Sequence, residues 1–322
     1  MVADYVITKS GDPEFSYDEG TTATATFIET TNTEYIETEY ADTWRAIIAE
    51  GNLDIASHTQ THRWYGIDDN ASTGTFILNS SGTVVTYEFL DGHMTGEIVG
   101  SAERLRLVFA DQEQRVLTYV ITGWPAANNG RTEAAIKMIA ENYISARSSA
   151  KGINEYGSIS YHGLKEMAIY DTTTVKDMTD YVDSVISAEA WGIYCFHQIN
   201  SGSAESGAYQ GNVDQLLKYM YDNNVWGASL EQATMYVKEY ESSNLDIKVV
   251  GDSIQVTLTD TLDNEIYDMG LTVKVTVPAK WEKVAIDGTD TVLNVSIDEN
   301  GVRYVMLDIV PDSGTVTLNG AY

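Results

Sequence analysis

Short apolar runs alternate with amphipathic stretches along the first part of the chain, residues 1–242. Apolar runs bounded by Gly, Pro or Asn predict strands, whereas apolar positions three or four residues apart predict helices. Strands are predicted at residues 5–8, 22–30, 53–56, 116–121, from 143, at 191–196 and 225–226, and helices at 44–50, 101–110, 131–142, 175–187, 213–222 and 229–242. This repeated order predicts a parallel sheet, either an open α/β sheet or a (β/α) barrel.

A strict alternation of apolar and polar residues replaces this pattern from residue 243 onward. Gly, Asp and Asn interrupt the alternation, so it predicts roughly seven or eight short strands joined by turns. Residues 243–322 are therefore predicted to form a small all-β sandwich. A second alternating segment, near residues 72–90, has an Asn-Ser-Ser-Gly turn at its centre. It predicts a hairpin inserted into the first domain, residues 1–242.

The chain carries 48 Asp and Glu residues against 19 Lys and Arg residues, a formal net charge of −29. A field of that sign repels nucleic-acid phosphates and anionic membrane surfaces, so neither is an expected partner. Membrane insertion is not expected either, since no apolar run approaches the length of about 18 residues that a spanning helix needs. The single cysteine, Cys195, excludes an internal disulfide, and we predict a buried apolar role for it.

Three histidines lie near the ends of predicted strands. His58 and His62 come soon after the strand at residues 53–56, and His197 follows the strand at residues 191–196. Two imidazoles four residues apart lie on one face of a helical turn, about 5–6 Å apart at Cβ, which suits two ligands of one metal ion. In a parallel barrel the carboxyl ends of the strands share one edge, where catalytic groups lie. The three histidines are therefore predicted to belong to one functional cluster.

Five segments of the chain, taken in order, resemble motifs of a known family. They are ATFIET (25–30), DIASHTQTH (54–62), VLTYVITGWPAANNG (116–130), YISARSS (143–149) and WGIYCFHQI (191–199). In these segments the chain is similar to polysaccharide deacetylases of the NodB-like kind, carbohydrate esterase family four. Residues 225–243, VWGASLEQATMYVKEYESS, and the tail that begins GLTVKVTVPAKW at residue 270 resemble a subgroup that carries a β-sandwich behind its barrel. The resemblance implies a distorted (β/α) barrel of the polysaccharide-deacetylase type, followed by a small all-β sandwich domain.

The resemblance also implies a metal cofactor and a proton donor. A divalent metal, usually zinc, would be held by His58, His62 and a carboxylate. His197 would be the general acid. In this chemistry the metal polarises the acetyl carbonyl, and a protonated imidazole hands a proton to the leaving amine.

Substrate-binding residues are implied in the same way. The turn formed by Trp124, Pro125 and Ala126 would line the oxyanion pocket, where a backbone N–H stabilises the tetrahedral intermediate. Trp64 and Tyr65 would lie at the rim of the pocket, because flat aromatic faces suit the C–H groups of a pyranose ring. The implied substrate and partner is an acetylated polysaccharide.

The first acidic motif of the family has two placements in this chain. Residues 16–20, SYDEG, would make Asp18 the base and Glu19 the third metal ligand, but few residues separate them from the next predicted strand. A parallel crossover needs about a dozen residues or more, which favours residues 5–8 as the first barrel strand. The motif then becomes KSGD, in which only Asp12 could reach the metal. Both placements remain open on the sequence.

Two functions follow from these patterns. The first is a metal-dependent deacetylase that removes N- or O-acetyl groups from a glycan. The second is a deacetylase-fold protein without catalysis, which binds carbohydrate or serves as a structural component of an extracellular or cell-surface assembly; the altered first motif and the acidity favour it. A homo-oligomer is compatible with either function. The chain shows no recognisable signal peptide, and sequons at Asn70, Asn79 and Asn294 matter only after export from a glycosylating cell.

Overall fold

The computed structural model describes residues 21–26, 41–50, 53–59, 73–78, 84–89, 96–109, 115–122, 130–196, 199–200 and 208–321. Contacts divide the chain into two compact units, Met1–Glu231 and Gln232–Tyr322. The division falls near the start of the helix Leu230–Ser242, whereas the sequence pattern changes at the end of that helix. None of the helices in the described ranges has the length and apolar character needed to span a membrane.

The first unit combines helices with parallel and antiparallel strands. In chain order its elements are β1 (Thr21–Thr26), α1 (Ala41–Ala49), β2 (Thr73–Leu78), β3 (Val84–Phe89), a π-helix (Gly96–Gly100) continuing into α2 (Ser101–Val108), β4 (Thr118–Val120), α3 (Gly130–Asn142), β5 (Ser145–Lys151), β6 (Asn154–Glu155), β7 (Leu164–Ile169), α4 (Val175–Ser187), β8 (Ala190–Trp191), β9 (Tyr194–Phe196), β10 (Ile199–Asn200), β11 (Ala208–Tyr209) and α5 (Gln210–Asp222). Helix α6 (Leu230–Ser242) follows. The mixed α/β class predicted from the sequence is confirmed.

Strands β1, β2 and β3 form a separate antiparallel sheet. The pairing of β2 with β3 lies where the sequence predicts a hairpin. The sequence also predicts a strand of the parallel sheet at residues 22–30, but residues 21–26 pair antiparallel with β2 instead. A buried parallel strand is a nearly continuous apolar run, whereas Thr21–Thr26 alternates Thr and Ala over most of its length, a pattern that suits an antiparallel strand.

Strands β4, β5, β7 and β9 form a parallel sheet in that order. Residues 53–59 extend it beyond β4 through a parallel bridge between Ser57 and Tyr119. The order of the strands in space therefore equals their order in the chain, and the sheet is curled like half of a barrel. Because right-handed crossovers between such strands all return on one side, the connecting helices cover one face of the sheet.

Two apolar clusters pack the helices against that face. The first joins α2 and α3 to β4 and β5, and its buried members are Ile98, Ala102, Leu105, Phe109, Val116, Tyr119, Ala135, Ile139, Tyr143 and Ala146. The second joins α4 and α5 to β7, with Ile169, Met178, Val182, Val213 and Leu216 buried, and Tyr194 and Phe196 of β9 packed against it. The strand residues in these clusters identify the helix-covered face; we call the opposite face of the parallel sheet the inner face.

Helix α4 shows how local sequence sets a helix boundary. The Asp177 N–H donates to the Thr174 hydroxyl at 3.1 Å, and the Thr174 N–H donates to the Asp177 carboxylate at 2.9 Å. This capping box satisfies two donors at the start of the helix. The hydrogen bonds from Thr174 also lower the pKa of the Asp177 carboxyl. Met178 and Val182, four residues apart, are buried. The capping box therefore sets where the helix starts, and these apolar residues set which of its faces is buried.

The second unit contains two antiparallel sheets that share one apolar core. Its strands are β12 (Asn244–Val250), β13 (Ser253–Thr259), β14 (Leu271–Thr276), β15 (Lys283–Ile286), β16 (Val292–Asn294), β17 (Ser296–Ile297), β18 (Arg303–Ile309) and β19 (Thr315–Ala321). One sheet has the order β12-β13-β19-β15-β16, and the other has the order β14-β18-β17. Buried residues alternate along β13, β14 and β18, as expected for strands with one face on a shared core.

Trp281 fills the core of the second unit and is 2% exposed. Its ring lies directly against Gly320 in β19, where an added Cβ would lie 2.3 Å from Trp281 Nε1. No side chain fits in that gap. Gly320 is therefore required by the close approach of an aromatic ring to the backbone.

Gly320→Ala is expected to lower the free energy of unfolding of the second unit by about 1–3 kcal/mol, the usual cost of overpacking a core. Gly270→Ala is the matched control, since a Cβ there would meet its nearest neighbour, Asp308 Cβ, at 3.4 Å. Urea unfolding of the full chain, followed by tryptophan fluorescence, measures both variants. Equal stability of the two variants would contradict this packing.

Candidate functional site

His58 follows an extended segment whose position is set by two backbone hydrogen bonds. The Ser57 N–H donates to the Thr118 carbonyl at 2.9 Å, and the Val120 N–H donates to the Ser57 carbonyl at 2.7 Å. Ser57 is fully buried and its hydroxyl lies 2.5 Å from that of Ser101 in α2, which places it on the helix-covered face. Because successive side chains of an extended strand point to opposite faces, His58 lies on the inner face.

The imidazole of His58 is oriented by strand β4. Its Nδ1 lies 2.7 Å from the carbonyl oxygen of Val120. A carbonyl oxygen only accepts, so Nδ1 carries the proton and Nε2 carries the lone pair of the neutral ring. Metal-binding histidines are commonly fixed in this way, by a hydrogen bond from one ring nitrogen to a backbone carbonyl or a carboxylate. The arrangement therefore makes Nε2 the atom suited to bind a metal or accept a proton.

Thr59 continues the chain in an uncommon conformation. Its φ is 64°, in the left-handed region, and the residue is 5% exposed. A β-branched residue in this region costs of order 1–3 kcal/mol and persists only where the surrounding structure holds it there, most often at functional sites. The backbone strain lies immediately beside the histidine that the sequence predicts as a metal ligand.

A buried ion pair lies on the inner face near His58. Arg147 Nη1 in β5 is 2.8 Å from Glu166 Oε2 in β7, and the two side chains are 13% and 4% exposed. Arg147 is the register partner of Val120, the residue whose carbonyl orients His58. Strand β4 lies between β5 and residues 53–59, so two strand spacings, about 10 Å, separate Arg147 from the segment that carries His58. The ion pair places one fixed charge of each sign on the same face as His58.

Cys195 in β9 lies on the same inner face as the ion pair of Arg147 and Glu166. Its register partner in β7 is Ala168, which shares a face with Glu166 because the two are two positions apart in the strand. Burial raises the pKa of the Cys195 thiol; Arg147 opposes that increase and the Glu166 carboxylate reinforces it. The sequence predicts a buried apolar residue here, whereas in the structure the thiol is half-buried and shares a face with Glu166.

The sequence pattern gives no role to Arg147 or Glu166. Glu166 stands out only once its burial in the strand Leu164–Ile169 is known, because a carboxylate is rarely buried without a partner. The identity of the partner follows only from the alignment of β5 with β7. That alignment is irregular, with a register shift between Arg147 and Lys151, so it could not be obtained by counting residues.

The other predicted site residues lie outside the part of the chain that the structure describes. They are the acidic residues Asp12, Asp18 and Glu19, the histidines His62 and His197, the aromatic pair Trp64 and Tyr65, and the turn Trp124, Pro125 and Ala126. Their roles stay predictions. Within the described ranges, no group of three His, Cys, Asp or Glu side chains could hold a metal ion.

A groove of about 490 Å³ lies beside β7 and the first half of α4. Its lining includes Tyr170, Tyr181, Asp177, Asp180 and Lys151. The connection from β5 to β7 contains the short strand β6 and no helix. Aromatic faces combined with charged groups form a lining that suits a polar ligand such as a sugar.

Fold and site together define a mixed α/β protein whose curled parallel sheet carries an oriented histidine and a buried ion pair on one face, with a unit of two antiparallel sheets after it. No family model matches the chain. A curated protein named gellan lyase, from a Bacillus species, is 25% identical over 303 residues.

That similarity covers 85% of this chain but 11% of the Bacillus protein. The chain thus spans a small share of the length of the curated relative that it matches. The first unit holds 231 of the 322 residues, so the matched part reaches into both units. The chain is therefore similar, across both units, to one segment of a much longer protein.

Arg147→Met is expected to lower the free energy of unfolding by about 3 kcal/mol, because it leaves the Glu166 carboxylate buried without its counter-charge. Arg147→Met combined with Glu166→Met should recover most of that loss, since it removes both charges. Chemical denaturation at pH 7 measures both variants. If the single variant were as stable as the unmodified chain, the ion pair would not stabilise the sheet.

Proposed function

We propose that this chain is a polysaccharide deacetylase domain that uses a divalent metal to hydrolyse acetyl groups on a glycan. The observation that carries the proposal is the orientation of His58. The residue lies at the end of an extended segment of the parallel sheet, and its Nδ1–H is held by the Val120 carbonyl at 2.7 Å. That hydrogen bond selects the tautomer in which Nε2 can bind a metal. The order of the parallel strands supports a distorted (β/α) barrel of this type.

His58 fits the role of metal ligand by its donor chemistry. We propose that His58 and His62 hold the metal together with a carboxylate from Glu19 or Asp12, and that the ion is zinc, which imidazole and carboxylate ligands suit. A bound divalent ion supplies Lewis acidity toward the acetyl carbonyl. Several borderline cations, zinc, nickel and iron among them, accept imidazole ligands, so elemental analysis of the purified chain identifies the metal.

The proton transfers are assigned to two other side chains of this protein. In the placement that uses residues 16–20, Asp18 accepts a proton from the attacking water. His197 in its protonated form donates a proton to the leaving amine or alkoxide. The bond between the acetyl carbon and the glycan nitrogen or oxygen breaks, giving acetate and the free glycan group.

Glycan binding is assigned to residues around this centre. The Trp124-Pro125-Ala126 turn lines the oxyanion pocket, and Trp64 and Tyr65 stack on sugar rings at its rim. The partner is an acetylated polysaccharide outside the cell or at its surface. The name of the Bacillus relative supports a polysaccharide as the ligand class.

A second candidate function is glycan binding without catalysis. Two observations favour it: the similar segment makes up 11% of the Bacillus protein, and the groove beside α4 carries Tyr170, Tyr181 and acidic side chains. In this alternative the chain is a carbohydrate-binding or structural module, and another part of a longer protein performs the chemistry.

His58→Ala is expected to remove most of the bound metal and to lower acetate release by about 100-fold or more, because a ligand and its orienting hydrogen bond are both lost. His162→Ala is the matched control. Its Nε2 also lies 2.9 Å from a backbone carbonyl, that of Tyr143, but the residue lies outside the predicted metal set. Metal content of the purified chain and acetate released from N-acetylated and O-acetylated glycans are the two measurements.

The two functions give different results in that experiment. Metal bound stoichiometrically and lost in His58→Ala, together with acetate release, establishes the deacetylase. If the zinc-loaded chain releases no acetate from any acetylated glycan, the catalytic proposal is wrong. If the chain then binds a polysaccharide in affinity electrophoresis, and Tyr170→Ala weakens that binding, the second candidate is the correct one.

A further inference from the structure

Strand β12 exposes an unusual amount of apolar surface. Leu245, Ile247 and Val249 are 46%, 43% and 76% exposed. They occupy alternate positions of the strand, so they share one face of the sheet. In β13 their register partners are Leu258, Val256 and Ile254, all of which are buried in the core of the second unit. The apolar side chains of β12 therefore lie on the core-facing side of their sheet.

These side chains are exposed because the two sheets differ in width. The sheet that contains β12 has five strands, and the sheet that packs on it has three. The shared core draws on β13, β15 and β19 from the wider sheet, and no β12 residue belongs to it. Strand β12 is also an edge strand, since within the described ranges β13 is its only partner.

The opposite face of β12 carries one charge of each sign. Asp246 and Lys248 alternate with the apolar residues, form an ion pair with each other, and are 46% and 67% exposed in their side chains. From residue 245 to residue 249 the strand thus reads apolar, acidic, apolar, basic, apolar. The pattern therefore has opposite charges at equal distances on the two sides of its central residue, Ile247.

We propose that β12 is a dimer interface, in which two copies of this chain pair their β12 strands antiparallel about a two-fold axis at Ile247. In this register Asp246 lies opposite the partner's Lys248, and Lys248 lies opposite the partner's Asp246. Leu245 lies opposite the partner's Val249 on the other face. The two five-stranded sheets become one continuous sheet of ten strands.

Charge complementarity favours this register over the others, and it favours a second copy of the chain as the partner of β12. Moving the axis to Asp246 places two carboxylates opposite each other, and moving it to Lys248 places two ammonium groups opposite each other; both arrangements are unfavourable. An axis between two residues places a charged side chain opposite an apolar one. The register centred on Ile247 pairs opposite charges on one face of the strand and apolar side chains on the other. It also removes two exposed apolar edges, which soluble proteins otherwise protect.

The experiment uses two charge reversals in the full chain. Lys248→Glu places acidic residues opposite each other twice, and Asp246→Lys places basic residues opposite each other twice. Each variant is expected to weaken dimerisation by about tenfold or more. An equimolar mixture of the two should form a heterodimer, because the acidic pattern of one then faces the basic pattern of the other. The double variant Asp246→Lys with Lys248→Asp should again form a homodimer.

Sedimentation velocity gives the oligomeric state of each sample, at about 100 µM because a small interface binds weakly. A salt concentration of about 0.15 M limits the Debye length to about 8 Å, which screens the net charge of the two chains but not groups in contact. Lys283→Glu is the matched control: it makes the same change of charge at an exposed position of β15 in the same sheet.

The expected result is a dimer for the unmodified chain and for Lys283→Glu, monomers for the two single reversals, and a dimer for their mixture. Recovery in the mixture also shows that both variants are folded. A monomeric unmodified chain overturns the proposal, as does a dimer that neither reversal weakens or a mixture that stays monomeric. None of these measurements depends on metal or acetate release, so the interface and the proposed function are tested separately.

Discussion

The parallel pairing of Ser57 with β4 is the contact on which the candidate site depends. Two backbone hydrogen bonds, to Thr118 and from Val120, fix the level of the segment in the sheet. With that level fixed, the alternation of side chains buries Ser57 against α2 and leaves His58 on the inner face. A slip by one residue would exchange the two faces and put the imidazole among the helices. The chemistry of the histidine is thus decided by the register of the strand before it.

Much of the architecture could be predicted from the sequence, because the helices bury stripes that recur at helical spacing. The predicted helix at residues 175–187 coincides with α4, where a Thr-to-Asp capping box begins a run with buried Met178 and Val182. The strand predicted at residues 22–30 is harder to assign to a sheet from the sequence. Its pattern shows that it is extended, but the choice between a parallel and an antiparallel partner depends on tertiary contacts.

The candidate site was predictable only where a motif is contiguous. His58 could be found because the strand, the spacing to His62 and the resemblance all involve neighbouring residues. Arg147 and Glu166 are nineteen positions apart on strands with an irregular register, so their ion pair arises from folding and leaves little trace in the local sequence. The opposite charges of these two side chains cancel on the inner face. An unpaired carboxylate there would add to the charge repulsion in a protein of net charge −29.

The conformation of Thr59 has a consequence for how this protein could change under selection. Glycine adopts a φ of 64° without steric cost, so replacement of the threonine would relieve the local strain, but it would also give the unfolded chain more conformational freedom, which costs about 0.5–1 kcal/mol. The same replacement would loosen the backbone that follows His58. The relief of strain and the cost of the freer unfolded chain are of similar size, so stability alone does not decide between the two residues. At position 59 the chain exchanges local strain for a more rigid backbone beside His58.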